Sequence, residues 1–280
     1  SYYPDILLKK YKAVESRVVF ANASDWEYIA EIWNRCFGDT REYIALYQEN
    51  RFENENMYVI YQDGRPVSMA SLLPVQVTIN GRKENARYVY AVATLPEYRE
   101  QGYASQLIKH AAERCAEPLL LQPADRDLQR YYERQGFADA FGESPCWIYA
   151  GRFVGKADIH VPSSEDGGLR AAEETVREEK PDILGSWLVS DVDAKVYKAV
   201  RDQFFDREGY VEWDEKAIVY AIKENQFCGG RTLLLTEDRE DQESTKAVLM
   251  YRIEKDSLHI METTLDDNAL HAILPELLEY

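Results

Sequence analysis

The sequence is organised around a strand, a turn and a helix that lie between Tyr88 and Arg114. The seven residues 88–94 are β-branched, aromatic or alanine, which is typical of a buried strand. Pro96 ends this strand, because a proline has no N–H group to donate to a sheet. From position 104 to 115 apolar residues recur at helical spacing, and Gly102 stands just before them. The pattern predicts a glycine-containing loop that leads into an amphipathic helix.

The rest of the first half alternates between strand and helix patterns. Its predicted strands are 17–21, 57–61, 67–79, 118–122, 137–141 and 146–150. Its predicted helices are 26–37, 40–49 and one that begins after Asp125 or Asp127 and ends at Gly136. The dipeptides Asp63-Gly64 and Asn80-Gly81 predict tight hairpin turns between strands.

The second half repeats much of this order after a linker at 154–168 that is rich in Gly, Pro and Ser. The predicted elements are a helix at 195–205, a helix capped by Asp214, strands at 231–235, 247–253 and 258–264, and a helix capped by Asp266 or Asp267. No sequence repeat is visible, but the shared order predicts a second, diverged copy of the first fold. The sequence ends where this second copy would be only about half complete. Truncation of the chain at its C-terminus is therefore an open alternative.

Composition narrows the class of protein. A length of 280 residues suits two domains, and a hydrophobic content of 45% supports packed cores. The net charge of −17 argues against nucleic acid and against an anionic membrane face, while it suits either solubility or a cationic substrate. No apolar run reaches membrane-spanning length. The four cysteines and four histidines are scattered without a Cys-x-x-Cys pair, so we expect a reduced, cytoplasmic protein with no metal site.

The loop before the organising helix has the chemistry of a phosphate site. A helix start presents unpaired N–H groups and a partial positive charge, and a glycine lets a ligand approach the backbone closely. The order of strand, proline, Arg99-x-x-Gly102-x-Ala104 and helix resembles the acetyl-CoA loop of the GNAT acetyltransferase superfamily. A second element of that family is similar to the later Tyr132-x-x-x-Gly136-Phe137.

This resemblance covers about residues 17–151 and implies an α/β (α+β) fold with a mixed central sheet flanked by helices. Tandem acetyltransferases of the enhanced-intracellular-survival type are similar in having two such domains. By this resemblance, residues 1–153 form a catalytic domain and residues 169–280 a degenerate GNAT-like domain. The resemblance also implies an acetyl-CoA-dependent N-acetyltransferase that acts on a primary amine of a small molecule or peptide by direct attack in a ternary complex. The alternative is a module that binds or senses acyl-CoA without catalysis.

The resemblance assigns roles to residues by position. Backbone amides of the acetyl-CoA loop would hold the pyrophosphate, and the preceding strand would pair with the pantetheine arm and polarise the thioester carbonyl. Tyr132 would protonate the departing thiolate, although its ring could instead only pack under Phe137, and Tyr131 is the neighbouring candidate. The cofactor-binding residues implied are Val92, Ala93, Thr94, Arg99, Glu100, Gln101, Gly102, Tyr103, Ala104 and Ser105.

Two features of the sequence differ from what a complete active site of the resembled family would contain. Glu100 places a carboxylate in the loop, where many family members have basic residues, and this charge opposes a phosphate. No general base for the amine stands out: Glu84, Asp39 and Glu42 are candidates, a water chain is another, and each acid equally suits a solvated surface.

Overall fold

The computed structural model describes residues 17–138, 182–207, 209–237, 244–254 and 257–277. The elements of the first half are β1 (Val18–Phe20), α1 (Trp26–Phe37), α2 (Arg41–Arg51), β2 (Met57–Gln62), β3 (Arg65–Ile79), β4 (Arg82–Thr94), α3 (Tyr103–Arg114), β5 (Leu119–Leu120) and α4 (Arg126–Arg134). Those of the second half are β6 (Asp182–Leu184), β7 (Trp187–Asp191), α5 (Ala194–Phe205), β8 (Val211–Glu212), α6 (Glu215–Phe227), β9 (Arg231–Glu237), β10 (Thr245–Glu254), β11 (Ser257–Thr263) and α7 (Asp267–Leu277).

Each half is built on its own sheet. The first sheet has the order β1-β2-β3-β4-β5, antiparallel except for the parallel pair β4–β5. The second has the order β11-β10-β9-β7-β6 and is antiparallel throughout its described pairs. The short strand β8 belongs to the second half by sequence but pairs with β3, through Val77 and Val211 among others. The mixed sheet flanked by helices confirms the predicted fold class.

The helices follow from local signals that the sequence carries. Thr40, Asp125, Asp193 and Asp214 each accept a hydrogen bond from an N–H group in the first turn of the helix that follows. Apolar residues at helical spacing then bury one face: in α1, Ile29, Ile32 and Trp33 lie in the core of the first half.

The two halves share one order of elements. Apart from β8, which lies between α5 and α6, the succession β1-α1-α2-β2-β3-β4-α3 corresponds to β7-α5-α6-β9-β10-β11-α7, and the corresponding strands lie in the same order in both sheets. An irregularity interrupts the pairing of β3 with β4 and, at the corresponding place, that of β10 with β11. This correspondence supports the interpretation of the second half as a diverged copy.

Helices α2 and α6 run antiparallel and form the main contact between the halves, which we call the central seam. At its middle the rings of Tyr47 and Tyr220 lie 5.9 Å apart and nearly perpendicular. Tyr43 at one end donates to Glu224 (2.6 Å), and Arg51 at the other pairs with Asp214 (3.5 Å). The halves are therefore joined by specific contacts along two turns of helix.

The structure adds elements that the patterns did not predict, namely the hairpin β6–β7 and the strand β8. Strand β5 is also shorter than the predicted 118–122, with two residues only. The predicted linker at 154–168, the strand at 146–150 and all but the first two residues of the strand at 137–141 lie outside the described residues. Within the described ranges, every helix is too short or too polar to cross a membrane.

Candidate active site

In the first sheet, strand β4 separates from its neighbour β5 after a short paired stretch. It pairs with β3 along most of its length but with β5 only at Arg87 and Tyr88. At Ala91 the backbone takes a left-handed conformation (φ 52°), and the register against β3 shifts there. Such a bulge bends a strand and disrupts the ladder locally. In the described part of the chain, no strand pairs with β4 on the β5 side beyond Tyr88, so a cleft opens there.

The loop that follows β4 is shaped for an anion. Glu100 (φ 62°) and Gly102 (φ 79°) both take left-handed conformations, and such turns direct backbone N–H groups toward a common side. Helix α3 begins directly after Gly102 without a side-chain cap. A Cβ atom built on Gly102 meets no atom of the described chain within 4 Å, so the space in front of the loop is open. The loop therefore presents an open, uncapped helix start of the kind that binds anions.

Side chains fix the strand and the loop in place. Ser68 donates to the carbonyl of Ala93 (2.9 Å), while the Cys36 thiol (3.3 Å) and the Arg99 guanidinium (3.2 Å) donate to that of Thr94. These two carbonyls are thus held by the protein itself. Of the predicted residues Val92, Ala93 and Thr94, the latter two have a scaffolding contact that the sequence did not indicate. Arg35 adds a bidentate pair to Glu97 (2.8 and 2.9 Å) beside the loop.

The two neighbouring tyrosines of α4 have different surroundings. The hydroxyl of Tyr131 lies 3.0 Å from the hydroxyl of Ser105, at the start of α3, and so ties α4 to the loop. Tyr132 packs on Phe137 (5.7 Å between ring centroids) and lines the large cavity described next. Burial raises the pKa of Tyr132, and the adjacent Tyr131 adds to this. A phenol with a raised pKa keeps its proton at neutral pH, which suits a general acid.

A cavity of about 690 Å³ lies between the two halves. Its walls are aromatic on both sides, with Tyr88 and Tyr90 of β4 facing Trp213 and Tyr220 of the second half. Because Tyr88 and Tyr90 stand just before the bulge at Ala91, the cavity reaches the place where β4 leaves β5. The cavity also contains charged side chains, namely Arg51, Glu133, Arg201, Glu224, Arg252 and Glu262.

Glu224 is one of the cavity acids that the sequence interpretation missed. It lies on α6, in the half to which no chemistry was assigned, and accepts a hydrogen bond from Tyr43 across the central seam. Burial is the first cause that raises the pKa of Tyr43 above its ordinary value, with Tyr90, Tyr220 and Glu224 adding to it. No local motif marks Glu224, because its position depends on how two distant helices pack.

The three predicted candidates for a general base lie outside this cavity wall. Glu84 is exposed near the β3–β4 hairpin, opposite Val77. Asp39 accepts the indole N–H of Trp33 (2.7 Å). Glu42 is exposed in the first turn of α2, where its own backbone N–H and Thr40 lower its pKa. Glu42 is therefore part of a helix cap.

The second half lacks the features of the phosphate loop at the corresponding place. Between β11 and α7, Asp266 accepts a hydrogen bond from the N–H of Ala269 (2.8 Å) and caps the helix. A second acid, Asp267, lies in the first turn. The Asp266 carboxylate occupies an N–H group that an anion needs, and the charges of both carboxylates repel an anion.

The bulged strand, the uncapped helix behind a left-handed loop and the tyrosine of α4 lie at the positions that the resemblance to GNAT acetyltransferases predicted. In the comparison with known families, residues 17–140 match the model of the acetyltransferase (GNAT) domain. This match supports acyl transfer as the general class of reaction. No curated protein matches the sequence significantly. Among the described residues, no three His, Cys, Asp or Glu side chains form a group that could hold a metal ion.

Solved structures share the fold over nearly the whole chain. A GCN5-related N-acetyltransferase from Anabaena variabilis is 15% identical with a TM-score of 0.57, over 94% of this chain and 62% of that one. A probable N-acyltransferase from Enterococcus faecalis is 14% identical with a TM-score of 0.58, over 94% and 61%. Eis1 from Mycobacterium abscessus is 11% identical with a TM-score of 0.55, over 95% and 63%. The chain thus spans about three fifths of the length of these proteins.

Proposed function

We propose that the protein is a cytoplasmic N-acetyltransferase that moves the acetyl group of acetyl-CoA to a primary amine. The observation that carries this proposal is the combination of the bulge at Ala91 with the open loop at Gly102. The bulge opens β4 toward a ligand, and the loop offers an anion site at the end of the same strand. The described cysteines, Cys36, Cys115 and Cys228, are free, which fits a reducing compartment.

The residues 99–105 fit the pyrophosphate of CoA through their backbone. The first N–H groups of α3 carry the partial positive charge of the helix start, and no side chain caps them. The exposed Glu100 is the one acidic group of the loop, so binding depends on backbone donors more than on side-chain charge. When bound, acetyl-CoA supplies an activated acyl group as a thioester.

The cavity is the proposed site of the acceptor amine, which would attack the thioester directly. Tyr132 is the proposed donor of a proton to the thiolate that leaves, and its place in the cavity lining and its raised pKa support this role. Tyr131 is less suitable, since its hydroxyl is engaged by Ser105. Glu224 is the proposed group that orients the incoming amine through its negative charge, although it sits on the other half.

The second half is proposed to form the acceptor side of the pocket and to bind no CoA. Trp213, Tyr220 and Glu224 come from this half and face β4 across the cavity. The acid-capped start of α7 does not fit a phosphate. Its domain boundaries, 169–280 in the sequence interpretation, remain a prediction.

The test is a two-part measurement on the purified full chain. Calorimetry with CoA asks whether one site exists, and release of free thiol from acetyl-CoA in the presence of a panel of primary amines asks whether acyl transfer occurs. We expect binding of one CoA per chain and amine-dependent thiol release. Binding without thiol release for any amine would favour an acyl-CoA-binding module, and no binding would overturn the proposal.

A further inference from the structure

The cavity between the halves has two chemically different ends. Tyr43, Tyr47 and Arg51 lie at four-residue intervals on α2, so they form one stripe along the central seam. Glu224 lies at the Tyr43 end and Asp214 at the Arg51 end. Tyr43 and Arg51 are about 12 Å apart along the axis, at about 1.5 Å per residue. Both Glu224 and Arg51 line the cavity.

Arg51 is a buried cation with an unused donor. Its side chain is only 5% exposed, and its Nη1 lies 3.5 Å from a carboxylate oxygen of Asp214. The guanidinium carbon stands 5.7 Å from the centre of the Trp213 ring. Among the buried side-chain atoms of the described residues, Nη2 of Arg51 has no hydrogen-bond partner. A buried N–H group without an acceptor is costly, so in a native protein it calls for an explanation such as a functional role or a bound water or ion.

Two other arginines of the cavity are already engaged. Arg201 donates twice to Glu262 (2.9 and 3.0 Å), and it also donates to the hydroxyl of Tyr210. Arg252 is half-buried and donates to the side chain of Asn225 (2.9 Å). Of the three arginines that line the cavity among the described residues, Arg51 is therefore the one whose buried N–H group has no hydrogen-bond acceptor.

Asp214 does not neutralise Arg51 fully. One oxygen of Asp214 also accepts the N–H of Ala217 (2.7 Å), since Asp214 caps α6, and its side chain is 52% exposed. A second carboxylate beside Nη2 would complete a charge-assisted pair with the planar guanidinium. The aromatic walls between the two ends suit an apolar body.

Resting on the proposed function, we propose that the acceptor carries a carboxylate at the end opposite its amine, and that Arg51 binds this carboxylate. Glu224 attracts the amine at the other end, close to the bulge of β4. An α-amino acid, in which both groups share one carbon, does not reach both ends. If the rise of about 12 Å between Tyr43 and Arg51 on α2 sets the scale and each hydrogen bond takes about 3 Å, a span on the order of 6 Å is left for the acceptor. An ω-amino acid or the two ends of a short peptide has this form.

The test compares 6-aminohexanoate with hexylamine, which differ in the carboxylate alone. Turnover of both by the full chain gives a ratio of kcat/KM, which we expect to favour 6-aminohexanoate by tenfold or more. In Arg51→Met this ratio should fall to about one, whereas in Arg252→Met, which removes another cavity arginine, it should persist. Thermal unfolding of both variants shows whether they are folded.

A binding measurement separates this proposal from the proposed function. Calorimetry with the product-like probes 6-acetamidohexanoate and N-hexylacetamide requires no turnover, so a carboxylate preference that Arg51→Met abolishes supports the site even if no amine is acetylated. Equal binding and equal turnover of the paired probes in the wild-type protein would overturn the proposal. A loss of preference in Arg252→Met but not in Arg51→Met would also overturn it.

Discussion

Gly102 offers the sharpest test of the phosphate loop, because a substitution there affects two separate measurements. Backbone strain lowers Tm, whereas a lost contact with the ligand raises Kd. In Gly102→Ala, the left-handed backbone (φ 79°) costs about 1–2 kcal/mol of folding free energy, but the added Cβ meets no atom of the described chain. A loss of this size lowers Tm by about 2–8 °C in a chain of this size. The same Cβ stands where phosphate oxygens would approach the backbone. Losing one charge-assisted hydrogen bond there costs about 1.5–3 kcal/mol, or roughly 10–100-fold in Kd for CoA.

Gly64→Ala is the matched control for this substitution. Gly64 has nearly the same backbone (φ 81°), and its added Cβ also meets nothing within 4 Å, but it lies in the β2–β3 turn away from the loop. We expect the two variants to lose similar Tm and only Gly102→Ala to lose CoA affinity, measured by calorimetry on folded protein. An unchanged Kd in Gly102→Ala, or an equal loss in both variants, would refute the assignment of the loop.

Four further predictions follow from contacts of single side chains. Tyr132→Phe should lower kcat by roughly 10²-fold with little change in CoA affinity. Because the pKa of Tyr132 is raised, the wild-type kcat should not fall through ionisation of Tyr132 below about pH 10. A kcat within about threefold of the wild type would leave the ring as packing. Glu100→Lys should tighten CoA binding by on the order of 1 kcal/mol or less, an effect that salt weakens; no gain at low salt would mean that this carboxylate points away from the phosphates. Calorimetry should find one CoA per chain, and a second equivalent would contradict the acid-capped start of α7. Glu212→Gln should lower the free energy of unfolding by about 1–3 kcal/mol at pH 7. Burial raises the pKa of Glu212, but hydrogen bonds from Lys198 and Lys83 outweigh this and hold it below the ordinary 4.5. The stabilisation by the Glu212 carboxylate is therefore complete above about pH 4.5 and is lost as the pH falls through the lowered pKa of the folded state. If the free energies of unfolding of variant and wild type still differ at pH 2, the difference has another cause.

The sequence predicted the elements whose signals are local. Asp214 was predicted as a helix cap, Asp125 as one of two candidate caps and Thr40 as a helix start, and the structure shows each accepting an N–H group in the first turn. The Asp63-Gly64 turn lies between β2 and β3, with both residues in left-handed conformations. The seven-residue apolar pattern at 88–94 lies within β4. Each of these features needs only neighbouring residues.

What the sequence did not predict depends on contacts between distant segments. Strand β8 has two residues and exists because it adds to the edge of β3, more than 130 positions earlier in the chain. The hydrogen bonds of Ser68 and Cys36 to the carbonyls after the bulge also join remote residues. Glu224 and Arg51 enter the candidate site through the packing of α2 on α6. No pattern within one element carries such information.

The central seam has a consequence for how a directional pocket can arise. Under the correspondence of the halves, α2 and α6 are equivalent helices that meet antiparallel, with the rings of Tyr47 and Tyr220 in edge-to-face contact at the middle. In a homodimer of one domain, such an isologous contact would give both ends of the cavity identical side chains. Two copies within one chain are free to diverge, and here one end has Arg51 and the other Glu224. Divergence of two such copies within one chain can turn a symmetric cleft into a polarised one, in which a molecule with unlike ends has a single orientation.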